Sequence, residues 1–232
     1  MAKYYGRESG YLKRKRFKFR LGMILTLAAV LAVAAKILTM DTAEYWLLIV
    51  AGLALFIYPL ILMNERFNLL AFFVSRGLTG ETVIREELLK LPDSFAVFED
   101  LTFPHARGNI DFAVTGPSGV FAIEVKSHRG RVEHHKGRLY VNGYSKRFLE
   151  QTLSERQALK DYLDSQGVVL DPVPVLVFSS KASLKFGFEK VGGVYVFGRE
   201  YLTDLLVRGG HVPRDSSKAA EMALLGHYLK HR

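Results

Sequence analysis

The amino-acid sequence predicts an α/β fold, with a mixed central sheet flanked by helices, preceded by an N-terminal hairpin of two transmembrane helices. Two long apolar runs in the first third of the 232-residue chain predict the transmembrane hairpin. Beyond about residue 77, stretches with helical periodicity alternate with strand-like apolar stretches, which is typical of α/β architecture. A turn-rich segment between residues 109 and 126 predicts a β-hairpin with charged side chains on one face. The length suits one globular domain and a smaller N-terminal part.

The positive charge of the chain is concentrated at its N-terminus. Residues 1–20, predicted as a basic cytoplasmic arm, contain eight Lys and Arg side chains against Glu8 alone, and the net charge of the whole chain is +9. The high pI is therefore weak evidence that the folded domain binds nucleic acid. The chain has no cysteine, which excludes a disulfide framework and a thiolate nucleophile or metal ligand.

The two apolar runs cover residues 21–39 and 45–63, so the predicted membrane segment is residues 21–63. Each run is about 19 residues long, which is enough for a helix to span the hydrocarbon core of a bilayer. A secretory signal peptide and a buried helix pair in a soluble protein are the alternatives. Because Lys and Arg precede the first run and follow the second, the positive-inside rule places both termini and the soluble domain in the cytoplasm. We therefore expect a multi-pass protein of the inner (plasma) membrane, with the lipid bilayer as a partner.

The later elements follow from periodicity and turn signals. An apolar juxtamembrane linker is predicted over residues 64–76, a domain over 77–200, and C-terminal helices packing on that domain over 201–232. Helices are predicted over residues 79–91, 148–165, 199–208 and 214–230. Strands are predicted over residues 95–103, in two hairpins within 109–126 and 130–144, and over 173–178 and 194–197.

The hairpin within residues 109–126 carries the chemistry. A four-residue loop, Gly116-Pro-Ser-Gly119, sets the register, so Asp111 lies opposite Glu124 and Asn109 lies opposite Lys126. The other face is predicted to be apolar core, formed by Ile110, Phe112, Val114, Phe121, Ile123 and Val125. Like charges placed directly opposite each other destabilise a sheet unless a cation lies between them, and hard divalent ions prefer oxygen ligands. The alternative is that these charges are solvated.

These motifs resemble the nuclease-related domain (NERD) family of the PD-(D/E)xK restriction-endonuclease-like superfamily. The resemblance covers about residues 77–200. It is carried by Gly80-Glu81, Asn109-Ile110-Asp111, the run from Gly116 to Lys126, Gly130, and Gln151. The Asn-Pro that the family commonly has ahead of its helical Gln is absent here, where the sequence reads Lys146-Arg-Phe-Leu-Glu-Gln151. The resemblance implies a restriction-endonuclease-like fold and Mg²⁺-dependent hydrolysis of phosphodiester bonds, with Mn²⁺ as a substitute.

The resemblance also implies roles for individual residues. The implied catalytic residues are Glu81, Asp111, Glu124, Lys126 and Gln151. Asp111 and Glu124 would be metal ligands, with the Val125 carbonyl and with Glu81, direct or through water. Lys126 would position the attacking water or offset charge on the phosphate, and Gln151 would orient the water or a phosphate. For Glu81 the alternative is a helix N-terminal carboxylate favoured by the helix dipole.

Basic residues cluster just after the motif and would bind nucleic-acid phosphates without reading sequence. They are Arg129, Arg131, Lys136, Arg138, Lys146 and Arg147. The alternative is a solvated hairpin. The sequence thus predicts a membrane-anchored, cytoplasm-facing Mg²⁺-dependent nuclease that acts on DNA rather than RNA and could form a homodimer. The alternatives are a membrane-tethered, non-catalytic module that binds nucleic acid or a protein, and a lipid-associated anchor.

Overall fold

The computed structural model describes residues 1–6, 10–38, 79–103, 108–180, 182–184, 188–208 and 210–231, together with Tyr58 and Leu62. The chain divides into two compact units. One comprises Met1–Glu8 and Thr79–Arg232, and the other comprises Ser9–Leu78. The larger unit therefore takes residues from both ends of the chain.

The described part of the smaller unit is chiefly helix α1, Gly10–Leu38. The second half of the predicted basic arm is therefore helical and continuous with the apolar run. Among the described residues, no helix is both long enough and apolar enough to cross a bilayer. The predicted span over residues 21–39 and the multi-pass location are therefore not supported by the described residues. The predicted span over residues 45–63 and the linker over 64–76 lie outside the described residues, apart from Tyr58 and Leu62.

The larger unit is built on a seven-stranded mixed sheet with the strand order β1-β2-β3-β4-β8-β11-β10. The strands of this sheet are β1 (Lys3–Tyr5), β2 (Ala96–Thr102), β3 (Asn109–Gly116), β4 (Gly119–Lys126), β8 (Val173–Phe178), β10 (Glu189–Val191) and β11 (Val194–Gly198). β2, β3 and β4 are antiparallel neighbours, whereas β4, β8 and β11 are parallel. β1 pairs in parallel with β2. The first residues of the chain therefore form an edge strand rather than a free arm.

Helices cover both faces of this sheet. They are α2 (residues 79–88), α3 (Phe148–Ser165), α4 (Leu202–Arg208, after a 3₁₀ turn at Arg199–Tyr201) and α5 (Arg214–Lys230). Side chains of α2 and α4 pack with Phe112 and Phe121 on one face. Side chains of α3 and α5 pack with Ala113 and Ala122 on the other. This architecture confirms the α/β class and the mixed sheet flanked by helices.

The register of the β3–β4 hairpin is the predicted one, because Thr115 pairs with Val120. Gly116 and Gly119 also pair, which shortens the loop to Pro117 and Ser118. The ladder between β3 and β4 ends at Phe112 and Ile123. The predicted pairings of Asp111 with Glu124 and of Asn109 with Lys126 are therefore not backbone pairs.

The direction of one side chain differs from the prediction. Ile110 packs with Ala113 in the core beneath α3 and α5, not with Phe112. The cause lies in β2, where Asp100 has a φ of +59° and interrupts the pairing with β3. Because of this local twist, the side chains of Ile110 and Phe112 point to opposite faces of the sheet, although residues two apart normally share a face. The face predicted to carry charged side chains also carries buried core, since Ala113, Val120 and Ala122 pack against α3 and α5.

A second, four-stranded sheet follows β4, with the order β7-β6-β5-β9. Its strands are β5 (Gly130–His135), β6 (Arg138–Val141), β7 (Tyr144–Lys146) and β9 (Ala182–Leu184). Two-residue turns lie at Lys136-Gly137 and at Asn142-Gly143. All four turn residues have positive φ. A type I′ turn, one of the two common two-residue hairpin turns, requires this at both of its central residues. The predicted single hairpin is thus a three-stranded meander plus β9.

One face of this second sheet packs on the start of α3. Val132, Leu139 and Val141 share a core with Leu149 of α3 and with Phe178 of β8. Leu153, also on α3, is exposed. The contact with Leu149 places the first turns of α3 beside the end of β4.

Candidate active site

The candidate active site lies at the end of β4, beyond Ile123, the last β4 residue that pairs with β3. Glu124, Val125 and Lys126 continue along β8 on their other side, opposite Leu176, Val177 and Phe178. On the β3 side, Asp111 Oδ2 accepts a hydrogen bond from the Val125 N–H at 2.8 Å. This hydrogen bond lies just past the end of the β3–β4 ladder. This contact fixes Asp111 next to the two motif residues that flank Val125.

Glu124 is the centre of the site and is only 2% exposed. Its Oε1 accepts hydrogen bonds from Lys126 Nζ and from Gln151 Nε2, the latter at 2.8 Å. Its Oε2 is buried, and no hydrogen-bond donor among the described residues reaches it. A buried carboxylate oxygen without a partner is costly, so this atom marks a position where a ligand would be stabilised.

Gln151, in the first turns of α3, joins the same network. Its Oε1 accepts from Lys126 Nζ at 3.1 Å, and its Nε2 donates both to Glu124 Oε1 and to Glu155 Oε1, at 2.8 Å each. The structure therefore brings Gln151 to the motif, as the resemblance implied. Glu155 was not predicted from the sequence. Its spacing of four residues from Gln151 places it on the same helix face, and that spacing was the available signal.

Phe148 and the ammonium group of Lys126 make a further contact. Lys126 Nζ lies 5.0 Å from the centre of the Phe148 ring, within cation–π distance. Lys126 is therefore held by Glu124, by Gln151 and by an aromatic face. Its position is fixed from three directions.

The carboxylates of the site perturb one another. Burial, followed by the charge of Glu124, raises the pKa of Asp111 well above its usual value, although the Val125 hydrogen bond opposes the shift. Burial, followed by the charge of Glu99, raises the pKa of Glu81 to about 7, and Glu124 adds to the rise. Burial and then Glu124 raise the pKa of Glu155 to about 9. Glu81 is therefore electrostatically part of the site, and a cation there would relieve this crowding of negative charge.

The donor set can be compared with what a divalent cation requires. Within the described ranges, no group of three or more His, Asp and Glu side chains is arranged to hold a metal ion. Mg²⁺, however, commonly uses one or two carboxylates and keeps several waters. The buried, unpartnered Oε2 of Glu124 and the adjacent carboxylate of Asp111 fit that mode. Val125 contacts Asp111 through its N–H, and Glu81 lies within electrostatic reach.

The predicted phosphate-binding residues do not form one surface. Arg147 lines a cavity of about 340 Å³ together with Glu150, Gln151, Ser154 and Glu155. Strand pairing instead directs Arg131 and Arg138 to the outer face of the second sheet, away from the side that packs on α3. The remaining three are Lys136 in the β5–β6 turn, Lys146 at the end of β7 and Arg129 before β5. Among the six, Arg147 is the one that lines the cavity beside Gln151.

A second buried charge cluster lies next to Glu81. Glu99 of β2 is 2% exposed. It accepts hydrogen bonds from Arg85 of α2, one of them at 3.2 Å, and from the hydroxyl of Tyr4 in β1. Sequence reasoning missed this cluster because Tyr4 is far from its partners along the chain. The cluster ties β1, β2 and α2 together.

The fold and the site together define an α/β protein in which a hairpin supplies Asp111, Glu124 and Lys126 and the helix α3 supplies Gln151. The family model of the nuclease-related domain matches residues 76–179. The match covers the residues that carry the motifs, so it confirms the resemblance to the nuclease-related domain family. No curated protein and no solved structure matches the chain significantly.

The family match bears on the other predictions in a limited way. A nuclease-related domain favours nucleic acid as the partner of this chain. Nothing in the described part of the chain supports the predicted bilayer partner or the homodimer. The match ends at Ser179, whereas the predicted domain runs to residue 200 and takes in β11.

Proposed function

We propose that this protein is a metal-dependent nuclease that hydrolyses phosphodiester bonds of DNA at the site formed by Asp111, Glu124, Lys126 and Gln151. The observation that carries the proposal is Glu124 Oε2, a buried carboxylate oxygen without a partner, beside the crowded carboxylate of Asp111. That pair supplies the hard oxygen ligands that Mg²⁺ prefers. Mn²⁺ would substitute for it in the same ligand set.

Each residue has a distinct task in this proposal. Asp111 and Glu124 would hold the cation, with Glu81 reaching it directly or through water. A bound Mg²⁺ would polarise the phosphate and lower the pKa of a water molecule. Lys126, held by Glu124 and Gln151, would offset the negative charge that develops on the phosphate oxygens.

The cavity beside α3 supports a role for Arg147 in binding the substrate. Arg147 is highly exposed, and its ion pair with Glu150 is long, at 3.8 Å. Such an exposed pair contributes little stability, so the guanidinium is available to a phosphate. Contacts of this kind position nucleic acid without reading its sequence.

A second candidate function is a binding module without catalysis. The observation that favours it is that Glu124 Oε1 already accepts from Lys126 and Gln151, while no three-ligand group occurs within the described ranges. In that case the network would be structural, and nucleic acid or a protein would bind elsewhere on the domain.

Cleavage assays on the full-length chain separate the two. The full chain is needed because residues 3–5 are part of the sheet. Labelled single- and double-stranded DNA and RNA would be incubated with Mg²⁺, Mn²⁺ or EDTA. The test variants are Asp111→Asn and Lys126→Met. The matched controls are Asp161→Asn and Lys160→Met, an acid and a lysine on the outer side of α3.

The nuclease proposal predicts cleavage of DNA that requires the metal, is lost in both test variants and persists in both controls. Mg²⁺ should also raise the unfolding temperature of the wild-type protein but not that of Asp111→Asn, since a ligand that binds the folded state stabilises it. Absence of cleavage by a folded wild-type protein, with DNA binding that needs no metal and survives Asp111→Asn, would favour the binding module.

A further inference from the structure

Glu155 is a buried carboxylate that the proposed mechanism does not use. It lies one turn after Gln151 on α3 and is 2% exposed. It accepts a hydrogen bond of 2.8 Å from Gln151 Nε2. A buried carboxyl group is expensive to maintain, and replacing such polar groups with apolar ones is often neutral or stabilising. The presence of a carboxyl group here therefore calls for a role other than stability.

The same helix provides a comparison. Gln157 Nε2 donates to Asp161 Oδ1 at 2.6 Å, another pair with a spacing of four residues. That pair is exposed and stabilises the helix by a few tenths of a kcal/mol at most. The pair of Gln151 and Glu155 has the same local geometry, but it is partly buried and Gln151 is also hydrogen-bonded to Glu124 and Lys126. The two pairs therefore differ in burial and in these connections.

The geometry around Gln151 specifies the orientation of its amide. Its NH₂ group faces the carboxyl groups of Glu124 and Glu155, and its carbonyl oxygen faces the ammonium group of Lys126. The reversed amide would direct its carbonyl oxygen at Glu124 Oε1 and its NH₂ group at the ammonium of Lys126, so it is excluded by the charges of those two residues. Without Glu155, one of the two acceptors that hold the NH₂ group is lost, and the side chain gains freedom to rotate.

We propose that Glu155 is a positioning residue that fixes the Gln151 amide with its carbonyl oxygen on Lys126, so that the lysine is held over the reacting phosphate. This inference rests on the proposed nuclease function. Gln151 is the residue that acts on the site, and Glu155 acts through it. Outer partners of this kind commonly change activity by about 10–100-fold when removed.

The kinetic test compares Glu155→Ala, Glu155→Gln and the control Asp161→Ala in the full-length protein. Glu155→Ala should lower kcat about 10–100-fold with KM little changed. Glu155→Gln should restore most of that loss, because a glutamine oxygen still accepts from Gln151. Asp161→Ala should leave kcat unchanged. In a Gln151→Ala background, Glu155→Ala should cost no more than about twofold, since the two act as one unit.

A second measurement does not depend on activity. Because both Nε2 protons of Gln151 are donated to carboxylates, its side-chain amide should exchange slowly with water in an NMR experiment. Glu155→Ala should accelerate that exchange, whereas Glu155→Gln and Asp161→Ala should not. Circular dichroism would confirm that each variant is folded. If Glu155→Ala does not fold, Glu155→Gln remains the informative variant.

The outcomes separate the two proposals. If the wild-type protein cleaves no nucleic acid with any metal, the nuclease proposal fails, and the exchange experiment still decides whether Glu155 orients Gln151. If the wild-type protein cleaves DNA but Glu155→Ala and Asp161→Ala have equal kcat, the positioning role is refuted. The role is also refuted if Glu155→Ala leaves the exchange of the Gln151 amide unchanged, or if the losses from Gln151→Ala and Glu155→Ala simply add.

Discussion

Replacing Arg85 with methionine would leave the Glu99 carboxylate without its cationic partner. Glu99 is nearly inaccessible, and the Arg85 side chain is 17% exposed, so water cannot readily take the place of the guanidinium. Methionine keeps the apolar stem of the arginine packed on the sheet. The change therefore removes the charge pair with little change in packing.

The size of the effect follows from the burial of the pair. Removing one partner of a buried ion pair costs about 3–5 kcal/mol, because the remaining charge stays desolvated. The Tyr4 hydroxyl still donates to Glu99, which places the expected loss at the lower end, about 3 kcal/mol. For a unit of this size, that corresponds to a fall in the unfolding temperature of about 6–12 °C.

Hydrogen exchange of β2 peptides, measured by mass spectrometry, reports on the larger unit alone. Thermal unfolding of the whole chain would be followed in parallel by circular dichroism. Lys90→Met is the matched control, because Lys90 pairs with Glu87 at 2.8 Å on the same part of the chain but is exposed. An exposed pair contributes about 0–1 kcal/mol.

A double variant completes the design. Arg85→Met combined with Glu99→Leu removes both charges, and it should recover most of the stability that the single variant loses. The reasoning would be refuted if Arg85→Met and Lys90→Met had equal effects. It would also be refuted if the double variant were less stable than Arg85→Met alone, since the cost would then not come from an isolated buried charge.

The remaining predictions concern the site and two glycines. The pKa of Glu81 is raised to about 7 from its usual 4.5, so the folded state holds a proton that the unfolded state loses first. Glu81 therefore lowers stability as the pH rises from about 4.5 to 7, and Glu81→Gln should flatten the dependence of unfolding temperature on pH over that window; identical profiles would contradict this. Gly226→Ala should stabilise α5 by about 0.5–1 kcal/mol, because a Cβ there meets no described atom within 4 Å. Gly116→Ala should destabilise the protein by about 1–3 kcal/mol, because its Cβ would overlap the Phe95 ring. Both variants would be measured by their denaturation midpoints. Midpoints that moved in the same direction for the two alanine variants would contradict the difference in packing around the two glycines.

Local signals in the sequence were sufficient for the hairpin that carries the site. Turn residues at 116–119 and alternation on both sides determined the register, and the structure has Thr115 opposite Val120. The helix over residues 148–165 also followed from its periodicity. In both cases the information lies within a few residues of the element it specifies.

The failures involve interactions between distant parts of the chain. The pairing of Lys3–Tyr5 with β2 depends on residues more than ninety positions away, and a short basic segment has no periodicity that would reveal it. Ile110 changed faces because Asp100, on the neighbouring strand, adopts positive φ. Glu155 resembled an ordinary surface acid, since nothing in the sequence shows that its helix face meets Glu124.

β1 has a practical consequence for how this domain can be isolated. Ala2 is buried and the Lys3 N–H donates to the Phe95 carbonyl at 3.0 Å, yet Met1 is 79% exposed. A fusion partner can therefore be joined ahead of Met1 without displacing β1 from the sheet. A fragment that begins near residue 76 would instead leave β2 as a bare sheet edge, and such edges recruit strands from other molecules. Self-association of such a fragment would then reflect the missing strand rather than the oligomeric state of the intact protein.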